Sequence, residues 1–593
     1  MLTFDIECDG LLDTLTKIHC IVIIDGEGNV KRYHESLELR RDGDIFAGVC
    51  MLNAADYIVC HNIWGYDLKV LQRFFPGFKP KKVHDTFILS QMLFPNEMSK
   101  HGLDAWGKVF GLPKPVHEDW ATFSDEMLER CTVDTIITHR LWLRCKQELE
   151  GWDWSRAVEI EYKMYSIFCD HMTHWFIDKE KITSHIGYLA EEISNIDQQL
   201  ESLLPYITVK KVENIPLRTQ AGSVSSRAAK YLGEQLALAW GDFSYVEYTK
   251  LNLNSSQQVV RWLLSLGWQP EPFSKALPSI KDSALVGVPT HIKDFFVRRN
   301  IVKHRLAVLK GWESSLFEGN KIATFALTCG TPTARFRHMG VVNVPRPDVY
   351  FGKEMRELFV ASDGYVLVGC DASQLEARIE GHFSYKYDGG EYAKFLLEQD
   401  IHQFNADRWG LTRQQAKGPG YALSYQCGPQ KIADLLGISR IEGEKIHKTY
   451  WDDRPALRAL VRDLERSVLS RGQAKAHSRG ISLDLKTKPW IKGIDGRKLY
   501  VRSAHSMKNA LIQSTGMIAV KLAVIFLAET LKQFDARIVF LCHDEIIVMC
   551  RPSDSITISK LCEESLEQAR QELGLKVALV GQSKVGKSWY ECH

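Results

Sequence analysis

Apolar positions change their spacing several times along the chain. Over residues 1 to about 150, short apolar runs such as 2–6 and 18–24 alternate with helical patterns, which predicts a mixed sheet flanked by helices. Next, Ile186, Leu189, Ile193, Ile196, Leu200 and Leu203 recur at steps of three and four. This predicts a long helix, with Thr183 and Ser184 as candidate caps and Pro205 as the stop. A second helical pattern, Val259, Val260, Trp262, Leu263 and Leu264, ends at Gly267, and residues 292–310 supply a third. Beyond about residue 320 strand-like runs return. Two of them, 365–370 and 538–543, each end at a carboxylate, Asp371 and Asp544, and a mainly helical stretch at about 399–500 separates them. No internal repeat or low-complexity segment is present.

Composition narrows the class without deciding it. At 593 residues, 45% hydrophobic and 25% charged, the chain has length for several cores. Charge interrupts the apolar stretches before the roughly 20 residues of a membrane span, and the opening Met1-Leu2-Thr3-Phe4-Asp5-Ile6-Glu7 is unlike a signal peptide. The 14 cysteines lack Cys-x-x-Cys pairs, and Cys370 and Cys542 lie inside apolar runs, so reduced thiols and a cytoplasmic setting, the host's if the source is viral, are expected. A net charge of +2 leaves nucleic acid open. Two basic stretches, Lys293 to Lys310 with Arg298, Arg299, Lys303, His304 and Arg305, and residues 454–492, are candidate phosphate tracks only if catalytic motifs support them.

A carboxylate at the end of a buried strand is usually there for a cation or for catalysis. Two such ligands on adjacent strands can hold two Mg²⁺ ions roughly 4 Å apart, the arrangement of nucleotidyl transfer. The sequences around them, Asp371-Ala372-Ser373-Gln374-Leu375-Glu376 and His543-Asp544-Glu545, resemble the two metal-binding motifs of family A DNA polymerases. That resemblance, nearest to phage replicative enzymes, runs over nearly the whole chain. It implies a multidomain α/β protein: an RNase H-like exonuclease domain (1–150), then a right-hand polymerase with thumb (151–330), palm (331–398 and 501–593) and fingers (399–500).

The resemblance also assigns roles. Thr333-Ala334-Arg335 and Asn343-Val344-Pro345 look like the family's Thr-Gly-Arg and Asn-x-x-x-Ile-Pro region, with Ala334 replacing glycine. Arg335 would then contact the primer minor groove, Glu376 would exclude a ribose 2′-hydroxyl, and Ala372 would lend a carbonyl to a metal. Arg413 and Lys417, four apart on a helix, share a face that can meet a triphosphate, Lys417 also protonating the departing pyrophosphate. By the same resemblance His402 contacts phosphate, Tyr421 packs on the incoming nucleotide and Tyr425 lies near the templating base. Asn509 and Gln513 resemble the pair that senses minor-groove acceptors. His543 would sit near the primer end and Glu545 near the metals. Gly418-Pro419-Gly420 departs from the family inside the expected helix; proline there costs about 3 kcal/mol, so a kink is expected. Ala422 and Gln426 replace two further glycines, which predicts altered base or sugar selection.

Asp5 and Glu7, two apart on a strand, project from one face as metal ligands should. With Asp67, in His61-Asn62-Ile63-Trp64-Gly65-Tyr66-Asp67, and with Asp134, they resemble the carboxylate set of the family's 3′-to-5′ proofreading exonuclease, which binds two Mg²⁺ and a single-stranded 3′ end. Asp85 fits a neighbouring landmark but is not expected to be a ligand. Arg130 and Glu129 stand where a tyrosine or a histidine is usual, and arginine orients water poorly.

Gly581-Gln582-Ser583-Lys584-Val585-Gly586-Lys587-Ser588 satisfies the Walker A pattern, yet a phosphate cradle needs a helix after it and five residues remain. It reads as a decoy. Primer-template DNA, deoxynucleoside triphosphates and replisome partners such as a phage helicase are the implied ligands; no membrane is expected, and no thioredoxin dependence, because residues 204–251 offer no long basic loop. The alternatives are an exonuclease whose polymerase half only binds DNA, and a single-subunit RNA polymerase, which Glu376 and the exonuclease motifs disfavour.

Overall fold

The computed structural model describes all residues except 36–41, 99, 271–277, 279, 281–284, 286, 343, 478–479 and the side chain of Lys210. Asn343 therefore lies outside the described residues. By its contacts the chain divides into two compact units, Lys179–Ser315 and the remainder, Met1–Asp178 with Leu316–His593.

The amino-terminal part of the larger unit carries the expected mixed sheet. Strands β1 (Leu2–Cys8), β2 (Ile18–Ile24), β3 (Val30–His34), β4 (Ile58–Cys60) and β5 (Val83–Asp85) lie in the order β3-β2-β1-β4-β5. β1, β2 and β3 pair antiparallel, while β4 and β5 join parallel to β1. Every residue of β2 is buried, which its unbroken apolar sequence requires. Helices α1 (Asp67–Phe74), α2 (Thr86–Leu93), α3 (Asp125–Glu150) and α4 (Ser155–His171) follow. Ser124 caps α3 by accepting from the Met127 N–H, and α3 packs on β1 and β2.

The smaller unit contains helix α5 (Lys179–Glu201), the antiparallel strands β6 (Tyr206–Ile215) and β7 (Phe243–Lys250), and helices α6 (Ser256–Ser265) and α7 (Thr290–Ser314). The long helix starts one turn before its expected caps. Thr183 is internal to it, donating back to the Lys179 carbonyl and across to Glu313. The basic residues of α7 are largely spent inside this unit: Arg298 pairs with Glu192 at 2.7 Å, buried Arg299 with Asp197, and Lys303 with Asn254. They are thus a weaker phosphate track than their density suggests.

The carboxy-terminal part of the larger unit starts with a short hairpin, β8 (Ala326–Leu327) and β9 (Arg337–His338). Strand β10 (Val366–Ala372) leads into helix α8 (Leu375–Asp388), then α9 (Ile401–Trp409) and α10 (Arg413–Ser424). The 399–500 stretch stays helical only to residue 470; two small hairpins fill 474–483 and 490–500. Helix α11 (Met507–Leu531), strands β11 (Ala536–Cys542) and β12 (Glu545–Cys550), helix α12 (Ser555–Leu573) and strand β13 (Gly581–Gly586) complete it.

These strands form one antiparallel sheet in the order β11-β12-β10-β13. The Walker-like sequence is thus the edge strand β13, and no helix opens after it. The helix 504–531 is long and apolar enough to cross a membrane, but it is mostly buried as a core element. Its Lys508 and Lys521 are neutralised by Glu380 and Glu161, both at 2.7 Å. All 14 cysteines are free thiols.

Several cations of the second basic stretch are structural too. Arg454 is buried against Tyr450 and donates to Asn405. Just beyond it, Arg497 is buried between Glu161 and Asp495, both at 2.7 Å.

Candidate active sites

Asp371 sits one residue before the end of β10, directly opposite Glu545 on β12. Asp544 occupies the turn between β11 and β12, so the strand leading to it is not the neighbour of β10; β12 lies between. The turn closes on β10 through the Ala372 N–H, which donates to the Asp544 carbonyl at 3.0 Å. His543 takes the left-handed conformation, φ 58°, that this reversal needs. Both acids are half-buried. Burial, reinforced by the charges of Asp544 and Glu545, pushes the Asp371 carboxyl up to about 6, and burial likewise raises that of Asp544.

Glu545 is turned into the wall rather than into the open. Its carboxylate accepts from Trp589 Nε1 at 3.0 Å, lies 3.2 Å from His593 Nδ1 and faces Arg356 at 3.9 Å. His593 and Trp589 had no motif or period to mark them. They are legible only once β13 brings the chain end beside β10.

Around the two acids, residues remote in sequence converge. Arg335 donates to Glu376 at 2.9 Å. Tyr425 has its hydroxyl raised by burial, then by Glu376, and Gln513 also faces that hydroxyl. His543 is depressed by burial and by Arg335. Asn509 and Gln513 are half-exposed on α11, whose other residues from Met507 to Ile525 are buried, so both address this opening.

Helices α9 and α10 present the remaining candidates. Asp400 caps α9 and also pairs with Arg413 Nε at 2.7 Å. Thr412 and Gln415 form a capping box that starts α10 at Arg413. Lys417 is exposed one turn on, and Tyr421 next to it packs edge-on against the His402 ring at 5.0 Å. Helix α10 runs on through Pro419 to Ser424, so the proline does not end it. Gly420 lets α9 pack close to α10, since a side chain there would approach Asn405 of α9 to 3.0 Å.

The second cluster lies on the amino-terminal sheet. Ligand atoms of Asp5, Glu7 and Asp134 lie within 4.8 Å of one another, as do those of Asp5, Cys60 and Asp67. Asp67 and Asp134 are 4% and 3% exposed, while Asp5 and Glu7 are half-buried. Burial raises all four, Glu7 to about 8 and Asp67 to about 7, and repulsion from the neighbouring acids of the group adds to it at Asp5 and Glu7. Asp85 is structural: it caps α2 and accepts from the Asn62 N–H. Arg130 does not pair with Asp134. It donates to the Pro115 carbonyl at 2.7 Å and stacks over Trp120. The cation on Asp134 is Lys114, at 2.5 Å, which sequence reading missed because a single lysine between two prolines carries no motif.

The sequence profile described as DNA polymerase family A matches residues 224–591, more than half of the chain. The chain belongs to this family. Over its full length it is 26% identical to the whole DNA-directed DNA polymerase of Enterobacteria phage T3 and 25% to that of Escherichia phage T7. Its fold is similar to a solved structure, the POL domain of Pol1 from M. smegmatis in complex with DNA primer-template and dNTP. The TM-score is 0.70 at 18% identity, covering 100% of this chain and 96% of that one. Two of the glycine replacements in this polymerase retain backbone suited to glycine: Ala334 has φ 60° and Gln426 φ 59°. The third, Ala422, sits within α10.

Proposed function

We propose that this polymerase extends a DNA primer on a template, as a phage-type replicative enzyme acting in the cytoplasm, and excises mispaired 3′ ends in its amino-terminal domain. The observation that carries the synthetic reading is the meeting of Asp371 and Asp544 at one end of an antiparallel sheet, with both carboxyls raised. Neither carboxylate forms an ion pair among the described residues, and hard divalent cations suit an all-oxygen donor set. Mg²⁺ held by Asp371, Asp544 and the Ala372 carbonyl would acidify the primer hydroxyl and neutralise the triphosphate.

The chain's own residues do the rest. Arg413 keeps N–H donors beyond the one Asp400 takes, and with Lys417 and His402 it grips the triphosphate. Tyr421 stacks on the incoming base and Tyr425 lies by the templating one. Glu376, held by Arg335, fills the space a 2′-hydroxyl would need. Arg335, Asn509 and Gln513 test pair geometry in the minor groove, and His543 lies at the primer end. The primer 3′-hydroxyl gives its proton to solvent and its oxygen bonds to the α-phosphorus, the bond to the bridging oxygen breaks, and pyrophosphate leaves with a proton from Lys417, which solvent restores.

The excision reading is supported by the β3-β2-β1-β4-β5 order, which suits an RNase H-like domain, and by four acids around one space. Asp134 Oδ1 is buried without a partner, as a ligand oxygen awaiting a cation would be. Asp5, Glu7, Asp67 and Asp134 would hold two Mg²⁺ there. An adjoining cavity lined by Asn62, Lys69, Phe87, Tyr165 and Arg337 offers aromatic and basic groups to a single-stranded 3′ end. Primer extension with Mg²⁺ and four deoxynucleotides tests the first reading, and release of nucleotides from a mismatched primer the second. An enzyme silent in the first assay would overturn the synthetic reading.

A further inference from the structure

The four-acid centre holds a fifth charged side chain. Lys114 belongs to the loop after α-helical residues 103–110, and its ammonium meets Asp134 Oδ2 at 2.5 Å with only a fifth of its side chain exposed. Its charge is also felt by Asp5 and Glu7. Asp134 therefore divides its two oxygens: Oδ2 is taken by Lys114, while Oδ1 stays buried and unpartnered. A cation on Oδ1 and the ammonium on Oδ2 need not compete.

The loop that delivers this lysine is fixed from several sides. Pro113 and Pro115 restrict the backbone on either side of it. The Arg130 guanidinium donates to the Pro115 carbonyl at 2.7 Å and stacks over Trp120 at 5.1 Å. His19 of β2 contacts the Trp120 carbonyl at 3.0 Å. Arg130 thus gives its hydrogen bond to the loop, although Glu7 and Asp134 also feel its charge.

We propose that Lys114 is the phosphate-contacting cation of the nuclease centre and that Arg130 is its positioning residue. This rests on the excision reading above. In that step a water oxygen bonds to the terminal phosphorus and the P–O3′ bond to the preceding nucleotide breaks. The bonding electrons stay on O3′, which takes a proton from solvent, and the water's proton leaves to solvent. Lys114 keeps all its protons; one N–H stays on Asp134 and the others donate to a non-bridging oxygen whose negative charge grows in the transition state.

The test is single-turnover excision from a single-stranded oligonucleotide with Mg²⁺, comparing wild type with Lys114→Met, Lys114→Arg and Arg130→Met. Electron paramagnetic resonance of Mn²⁺ titrated into each protein reports the cation site independently of activity, and melting temperatures check folding. Lys114→Met should slow excision about 10²–10³-fold, with Mn²⁺ binding retained or tightened. Lys114→Arg should recover most of that rate, and Arg130→Met should slow excision less. Wild-type excision by Lys114→Met, or loss of Mn²⁺ binding along with excision, overturns the proposal while the nuclease reading stands. A wild type that extends primers but excises nothing overturns that reading and the proposal together.

Discussion

The two acidic centres solve the same electrostatic problem differently. At the sheet end, Asp371 and Asp544 are half-buried, come from a strand and a turn, and face Arg335 and His543 across an opening. On the amino-terminal sheet, Asp5 and Glu7 from one strand meet Asp67 and Asp134 from two helices, the latter pair almost fully buried, and a lysine is built in. Deeper burial first, and repulsion from neighbouring acids second, hold Glu7 near 8 against Asp371 near 6. The amino-terminal centre therefore depends more on its cations and on alkaline pH.

The sharpest way to break this comparison is to remove one acid from each centre. Asp544→Ala should cut primer extension by roughly three orders of magnitude or more, the several kcal/mol a metal site supplies, and leave digestion of single strands intact. Asp5→Ala should do the reverse. If either substitution silences both activities, the centres are not independent.

A second substitution asks what the two regions share. Glu161 lies wholly buried between Arg497 and Lys521. Glu161→Gln leaves those cations under-compensated, at a cost of about 3–5 kcal/mol. Urea denaturation should show that loss, with both activities falling in parallel.

pH sharpens the contrast further. Each raised carboxyl holds a proton in the folded chain that it has lost in the unfolded chain, so the folded state binds more protons between the unfolded value and the folded one. Metal-free stability should therefore fall as pH rises from about 4.5 to about 8. Thermal melts should show this fall, and Mg²⁺ should recover more at pH 8 than at pH 6. At limiting Mg²⁺, excision should keep rising up to about pH 8, while extension should level off nearer neutrality.

The smallest effect concerns backbone strain. Ala334 carries a Cβ in left-handed conformation, so Ala334→Gly should stabilise the fold by about 1 kcal/mol, less what glycine's freedom in the unfolded chain costs. A denaturation midpoint that drops instead would mean the methyl's burial outweighs the strain.

The sequence made some of this plain and hid the rest for physical reasons. Apolar runs that stop at Asp371 and Asp544 are visible because burial and charge change within one residue. That β12 intervenes between those runs is a matter of pairing, which no local pattern encodes. Thr183 and Ser184 suggest a helix start, but hydroxyls also serve inside helices, and α5 starts at Lys179. Strands β6 and β7 mix Tyr, Val and Ile with Lys and Glu and gave no clear alternation. Pro419 argued for a kink; the helix that the Thr412 capping box starts continues past it to Ser424. Arg130 was rightly marked as anomalous, while Lys114 needed three dimensions.

Glu161 also sets a limit on surgery. It stands in α4, beyond the amino-terminal sheet, yet the partners it neutralises are Lys521 in the helix that carries Asn509 and Gln513 and Arg497 in a nearby turn. A shortened enzyme freed of its nuclease should therefore begin upstream of α4; a cut made after it would strand the Lys521 charge in an oily interior, leave Arg497 with Asp495 alone, and forfeit the synthetic half as well.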